Sequence, residues 1–249
     1  ILRRTRASQD PRLMTSKVAG IVFDLDGTLV DSRADIAAAA NFALREHGYP
    51  ACSEERIGSF VGDGATRLMA RAARLELDSE QLVPLMTTFL GYYTVHACVR
   101  TKPMPGAVHA LDALTDLPLA LLTNKPRSAT DAVLGCLGWS ARFACVIAGG
   151  DLAMHKPDPS PLFEIARRLE VPSHRLVIVG DGPQDVECGR NAGSFTVGVA
   201  GGIAAHERLV ASRPDRLIGS LEELPALIRS LEANPSFGQL SPPSDGMRR

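Results

Sequence analysis

Ile21-Val22-Phe23-Asp24-Leu25-Asp26-Gly27-Thr28-Leu29-Val30-Asp31-Ser32 is the stretch on which the reading of the whole chain turns. An apolar run from Val18 to Phe23 predicts a buried strand, and it ends abruptly in two aspartates separated by one residue. Side chains two apart in an extended chain point the same way, so Asp24 and Asp26 should face one pocket at the carboxyl end of that strand. Gly27 lets the backbone turn sharply after them. Paired carboxylates repel unless a cation or a shared proton separates them. An all-oxygen pair favours a hard ion such as Mg²⁺.

Outward from this stretch, composition sets the bounds. The 249 residues are 45% apolar and 22% charged, the balance of a soluble globular protein with one large domain or a core plus an insert. A formal net charge of −1 marks neither a nucleic-acid binder nor a membrane-surface binder, and no apolar run is long enough for a membrane span. Five scattered cysteines, 52, 98, 136, 145 and 188, form no Cys-x-x-Cys pair. They predict free thiols in a reducing cytoplasm, with neither a disulfide framework nor a zinc site. No Gly-x-x-x-x-Gly-Lys-Ser/Thr loop supports nucleotide binding of that kind.

Residues 1–17 are basic and carry no apolar core, which predicts a disordered extension; 233–249, rich in Pro, Ser and Gly, predicts a disordered tail. A helix is predicted over 34–47, with Asp31 or Ser32 as its cap and Gly48 as its stop. Three more helices, over 53–60, 65–75 and 79–97, follow with no strand among them. Residues 33–102 therefore read as an inserted helical cap, hinged near Arg33 and Lys102-Pro103, over an α/β core of 18–32 and 103–232. In that core, strands at 117–123, 143–148, 175–180, 194–199 and 216–218 alternate with helices, and 210–213 is left unassigned. Alternation of this kind gives a parallel, doubly wound, Rossmann-like sheet with right-handed crossovers.

Ligands of such sheets bind at the carboxyl ends of the strands. The first strand ends in Asp24 and Asp26, the second in Thr123-Asn124-Lys125. After the third come Gly149-Gly150-Asp151 and His155-Lys156-Pro157, and the fourth ends in Gly180-Asp181-Gly182 with Asp185 one helical turn on. Each end offers a group suited to a phosphate or a metal.

These residues carry a resemblance. Asp24 to Ser32, directly after an apolar strand and followed by the other three strand ends in order, resembles the motif set of the haloacid dehalogenase superfamily, most of whose members are phosphatases. The likeness runs from about residue 18 to 232 and implies an α/β core with a helical cap at the position found here. Within the superfamily it resembles the bacterial phosphoglycolate phosphatases. The lid stretch Phe60-Val61-Gly62-Asp63-Gly64-Ala65-Thr66-Arg67-Leu68 and the segments 147–151 and 155–162 carry that finer likeness. One position departs from the pattern: relatives often have a hydroxyl residue where Gly182 stands. The expectation is a modest loss of Mg²⁺ affinity with turnover preserved.

Chemistry assigns the same residues their roles. Asp24 is the nucleophile and would form an aspartyl-phosphate. Asp26 protonates the leaving oxygen and then activates water. Mg²⁺ is held by Asp24, the backbone carbonyl of Asp26, and Asp181, with Asp185 behind the metal. Thr123 and Asn124 bind the phosphate, and Lys156 neutralises it. Gly62 and Gly64 allow close approach of a small substrate, and Arg67 is a candidate for its carboxylate. The expected activity is Mg²⁺-dependent hydrolysis of a small phosphorylated metabolite, 2-phosphoglycolate first, by a monomer or homodimer in the cytoplasm. A sugar-phosphate phosphatase or phosphoglucomutase on the same scaffold stays open, as does a non-catalytic phosphate-binding or regulatory protein.

Overall fold

Ile21 and Phe23 of strand β1 (Gly20–Phe23) pack into one apolar cluster and Val22 into another, because successive side chains of a strand leave opposite faces. All three are fully buried, each worth about 1.5–3 kcal/mol of transfer free energy. The computed structural model describes residues 17–233; the predicted basic extension, up to residue 16, and the tail from 234 lie outside the described residues.

Chain order continues with β2 (Val30–Asp31), α1 (Arg33–Glu46), α2 (Glu54–Gly58), α3 (Ala65–Ala73), α4 (Leu82–His96), β3 (Lys102–Pro103) and α5 (Ala107–Ala113). Next come β4 (Leu119–Pro126), α6 (Arg127–Cys136), β5 (Cys145–Gly149), α7 (Ser160–Arg168), β6 (Leu176–Gly180) and α8 (Pro183–Asn191). The last elements are β7 (Phe195–Val199), α9 (His206–Ala211), β8 (Arg216–Ile218) and α10 (Leu224–Ala233). Six strands form one sheet in the order β5-β4-β1-β6-β7-β8, parallel throughout. The chain winds from β1 out to β5, then returns to lay β6 on β1's other side. That reversal places the switch point of the sheet beside β1, where its two aspartates emerge. Helices α5, α6 and α10 cover the face of Ile21 and Phe23; α7 and α8 cover the face of Val22.

Helices α1 to α4 fill the segment predicted as the cap. On α4, Leu82, Leu85, Phe89 and Tyr93 are buried at helical spacing and form its inward stripe. Ser53 caps α2 by accepting the Arg56 N–H. At α1 the two predicted caps divide: Asp31 Oδ1 accepts the N–H of Arg33, the first residue of the helix, at 3.4 Å, while Ser32 caps nothing. Ser32 occupies the N-cap position, but its side chain turns to the site, where its hydroxyl donates to the Asp26 carboxylate at 2.6 Å.

The two crossings between core and cap lie side by side: β2 and β3 pair antiparallel, a ladder too short to leave a sequence signal. Buried Asp35 on α1 braces the return crossing by accepting from the Arg100 and Thr101 N–H groups and from the Thr101 hydroxyl. The unassigned stretch near 210 is part of α9.

The cysteine reading needs correction. Cys98, just after α4, is disulfide-bonded to Cys136, the last residue of α6; among the described residues Cys52, Cys145 and Cys188 are free. Packing of α4 on α6 brings together residues that 38 positions of sequence keep apart. The bond ties the end of the cap to a core helix, and Thr94 to Ser128 adds a hydroxyl–hydroxyl hydrogen bond of 3.0 Å between the same helices. It removes the thiol-based argument for a reducing compartment. No helix among the described residues is long and apolar enough to cross a membrane.

Candidate active site

Strands β4, β1 and β6 are neighbours, so Thr123, Asp24 and Asp181 emerge at the same edge of the sheet. Asp24 is buried, its N–H bonded to the Val179 carbonyl at 2.9 Å. Lys156 reaches in from the loop after β5, and its Nζ donates to Asp24 Oδ1 (2.6 Å), Asp185 Oδ1 (2.6 Å) and the Leu122 carbonyl (2.7 Å). All three ammonium donors are thereby used. Burial works against the charge on Lys156, but Asp185 and Asp24 hold it above the ordinary lysine value.

Asp181 Oδ2 accepts the backbone N–H groups of Ile203 (2.7 Å) and Ala204 (2.9 Å), and Oδ1 accepts the Thr28 hydroxyl at 3.3 Å. Close approach requires two glycines: a Cβ at Gly27 or Gly202 would collide with the Asp181 carboxylate. Gly27 also has φ +88°, a left-handed conformation that other residues adopt only with strain. The loop supplying Ile203 and Ala204 had no role in the sequence reading; Gly201-Gly202 just after an apolar strand was its one available signal.

Oxygen atoms of Asp24, Asp181 and Asp185 lie within 4.8 Å of one another. Asp185, expected behind the metal, therefore sits in the same cluster, where its other oxygen accepts the Gly182 N–H at 3.1 Å. Three buried carboxylates face a single ammonium. Burial pushes the Asp24 carboxyl up to about 8 against the pull of Lys156, with Asp185 and Asp181 adding to the rise. Asp181 is pushed up to about 6 by burial and by Asp185. An all-oxygen, under-compensated cluster of this kind fits a hard divalent cation such as Mg²⁺, whose charge would oppose both rises.

Asp26 faces the cap. Its Oδ1 accepts both the Ser32 hydroxyl and Lys125 Nζ, the latter at 2.8 Å. Lys125 also donates to the hydroxyl of Tyr93 on α4. The β4–β5 register shifts between Leu122 and Pro126, and this irregularity lets Thr123, Asn124 and Lys125 all line one cavity with Asp24 and Asp26. Lys125 stands at the predicted strand end with no role of its own assigned from sequence, and Tyr93 has none either. One signal was present: a residue before proline is biased to extended backbone, which keeps Lys125 on the strand.

Asn124 lines the cavity, but both ends of its carboxamide are committed elsewhere. Nδ2 donates to the Gly62 and Lys156 carbonyls at 2.9 Å each, and Oδ1 accepts the Lys156 N–H at 3.1 Å. The side chain thus pins the Lys156 loop and the cap loop to β4 instead of offering a free donor to phosphate. Gly62 and Gly64 line the cavity from the cap side, both with positive φ. Arg67 is exposed on α3 and does not line the cavity that holds Asp24; it borders outer grooves, one with His155 and Pro157 and one that adjoins the cavity at Gly64, Ala65 and Asn124. The space left by Gly182 is filled by Gln184, which also contacts Gly62: a Cβ at Gly182 would collide with the Gln184 amide, and one at Gly62 would lie 2.8 Å from its Nε2.

Known proteins resemble this chain in sequence and fold. The model of the haloacid dehalogenase-like hydrolases matches residues 21–199. A phosphoglycolate phosphatase of Neisseria meningitidis is 36% identical over 216 residues, which cover 83% of this chain and 92% of that protein. An N-acetylmuramic acid 6-phosphate phosphatase of Pseudomonas aeruginosa is 32% identical over 185 residues, 74% of this chain and 82% of that one. The crystal structure of a predicted phosphoglycolate phosphatase from Haemophilus somnus superposes with a TM-score of 0.79 at 29% identity, covering 86% of this chain and 99% of that chain.

Proposed function

The chain belongs to the haloacid dehalogenase-like hydrolases and is a phosphatase, and from that premise we propose that it hydrolyses 2-phosphoglycolate to glycolate and phosphate through an aspartyl-phosphate on Asp24. The observation that carries the mechanism is the placement of Asp24 in the buried Asp181–Asp185–Lys156 cluster with Asp26 beside it at the cavity. The names of the relatives support the choice of substrate.

Asp24 attacks phosphorus, and the bond to the leaving alkoxide breaks as the bond to its carboxylate oxygen forms. Lys156 orients Asp24 through the 2.6 Å contact and faces the phosphoryl group with positive charge. Thr123, buried at the end of the regular part of β4, offers its hydroxyl to a phosphoryl oxygen. Asp26 delivers a proton to the leaving oxygen, then takes one from the water that cleaves the aspartyl-phosphate and regenerates Asp24. Asp24, the carbonyl of Asp26, Asp181 and Asp185 would hold Mg²⁺, which when bound screens the repulsion between the anionic nucleophile and the anionic ester. Cap residues such as Phe89 and Leu68 keep bulk water from the cavity during the first step.

Phosphate release from 2-phosphoglycolate, glucose 1-phosphate, glucose 6-phosphate, N-acetylmuramic acid 6-phosphate and p-nitrophenyl phosphate, with Mg²⁺ and with chelator, tests the reading. Preferential, Mg²⁺-dependent release from 2-phosphoglycolate is expected. Preference for either hexose phosphate or for the muramic acid ester would move the substrate to a sugar phosphate. Turnover unaffected by chelator would remove the metal from the mechanism.

A further inference from the structure

We propose that Lys125 is the specificity-determining residue of this site: its ammonium, held between Asp26 of the core and Tyr93 of the cap, binds a carboxylate carried by the leaving alcohol. The inference rests on the phosphatase reading above and names the residue that would recognise the carboxylate of the substrate proposed there.

The geometry follows from the order of groups. A phosphoryl group bonded to Asp24 must present its leaving oxygen to Asp26. Whatever that oxygen carries continues past Asp26 into the cavity. The first charged group there is Lys125, 2.8 Å from Asp26 Oδ1 and with a side chain only 1% exposed. Its Nζ lies 4.5 Å from the centre of the Tyr93 ring and donates to the Tyr93 hydroxyl. An ammonium has three donors. Asp26 and Tyr93 take two, which leaves one for a ligand in the cavity that Lys125 lines.

The surroundings sharpen the choice. Ile36, Val61, Leu68 and Phe89 make the rest of the cap-side wall apolar, and among the described residues no other cation lines the cavity. Lys156 is committed to Asp24 and Asp185 and belongs to the phosphoryl end. Arg67, the carboxylate ligand expected from sequence, stands outside. A leaving group with one carboxylate on the carbon next to the ester oxygen places that carboxylate beside Lys125. A hexose would bring hydroxyls to a wall that offers them few partners. Because Tyr93 comes from α4 and Lys125 from β4, the carboxylate subsite is complete only where cap and core meet.

The test compares two esters of similar size that differ in the carboxylate, 2-phosphoglycolate and ethyl phosphate, on wild type, Lys125→Met, Lys125→Arg and Tyr93→Phe. One charge-assisted hydrogen bond is worth about 10- to 100-fold in affinity. Lys125→Met is expected to lower the ratio of kcat/KM values, 2-phosphoglycolate over ethyl phosphate, by about that factor, mainly through KM. Lys125→Arg should restore part of the ratio, and Tyr93→Phe should lower it by a smaller factor while leaving Lys125 in place. Glycolate binding to unreacted enzyme, by calorimetry, should weaken in Lys125→Met in parallel, a readout independent of turnover. A ratio unchanged in every variant, with both esters slowed equally, would show that Lys125 acts only on Asp26 and overturn the proposal. Wild type that releases phosphate from neither ester but binds glycolate through Lys125 would sink the phosphatase reading and leave the carboxylate subsite standing.

Discussion

Replacing Lys156 with Met tests how the buried cluster is held together. Met keeps the length and apolar stem of Lys and removes only the ammonium. In the wild type that ammonium touches two carboxylates and a carbonyl at 2.6–2.7 Å, with Lys156 and Asp185 each 1% exposed and Asp24 7%. Removing one partner of a buried ion pair costs about 3–5 kcal/mol, because the remaining charge stays desolvated. Here Asp185 and Asp181 would lose their countercharge, and the burial that already pushes Asp24 up to about 8 would push it further. A chain of this size loses about 2–4 °C of Tm per kcal/mol, so the variant is expected to melt about 6–20 °C lower in chelator. Mg²⁺ supplies the missing countercharge, so saturating Mg²⁺ should raise the Tm of the variant by more than it raises that of the wild type. Thermal unfolding followed by circular dichroism in chelator and in Mg²⁺ reads both effects. A variant within about 2 °C of wild type in chelator, or equal Mg²⁺ shifts for the two proteins, would refute the claim that Lys156 and a cation share the compensation of these three aspartates.

Asp24→Asn should have the opposite stability effect while ending catalysis. It deletes one of three crowded carboxylates and keeps an acceptor for Lys156, so Tm in chelator is expected to stay level or rise while kcat falls at least about 1000-fold; a clearly lower Tm contradicts the electrostatic account. Gly27→Ala combines left-handed strain with a collision against Asp181, whereas Gly48→Ala, at φ +75° with nothing within 4 Å, carries the strain alone. Calorimetric titration with Mg²⁺ should show weakened binding in the Gly27 variant only, and equal affinities would sever Gly27 from the metal site. Cys98→Ser opens a loop of 38 residues, for which loop entropy predicts a loss of about 4 kcal/mol. Denaturant unfolding without reductant should show that loss, and wild type in reductant should match the variant; coincident curves for variant and oxidised wild type would contradict it.

The site residues that sequence reached are those whose chemistry is written locally. Asp24 and Asp26 follow one apolar strand, and Asp181 follows another with Asp185 one helical turn on, in α8. Strand ends converge by the topology of a parallel sheet, so residues of four short motifs come together around Asp24. The residues it missed depend on packing between distant elements. Tyr93 belongs to the apolar stripe of α4 and reads as cap core; only the approach of α4 to β4 puts its hydroxyl on Lys125. The N–H groups of Ile203 and Ala204 have no side-chain signature, and the Cys98–Cys136 bond and the β2–β3 ladder exist because cap and core meet where they do. Arg67 shows the converse. Its chemistry suits a carboxylate, but its position on α3 turns it to the outer groove.

Trapping the covalent intermediate tests the central claim most directly. Enzyme turning over 2-phosphoglycolate with Mg²⁺ is quenched in acid and treated with borohydride, which reduces an aspartyl-phosphate to homoserine and leaves free carboxylates intact. Mass spectrometry of the peptide containing residues 20–32 should find homoserine at position 24. It should depend on substrate and be absent from Asp24→Asn. Homoserine at another aspartate, or none at position 24 while phosphate is released under the same conditions, would contradict the assignment of Asp24 as nucleophile.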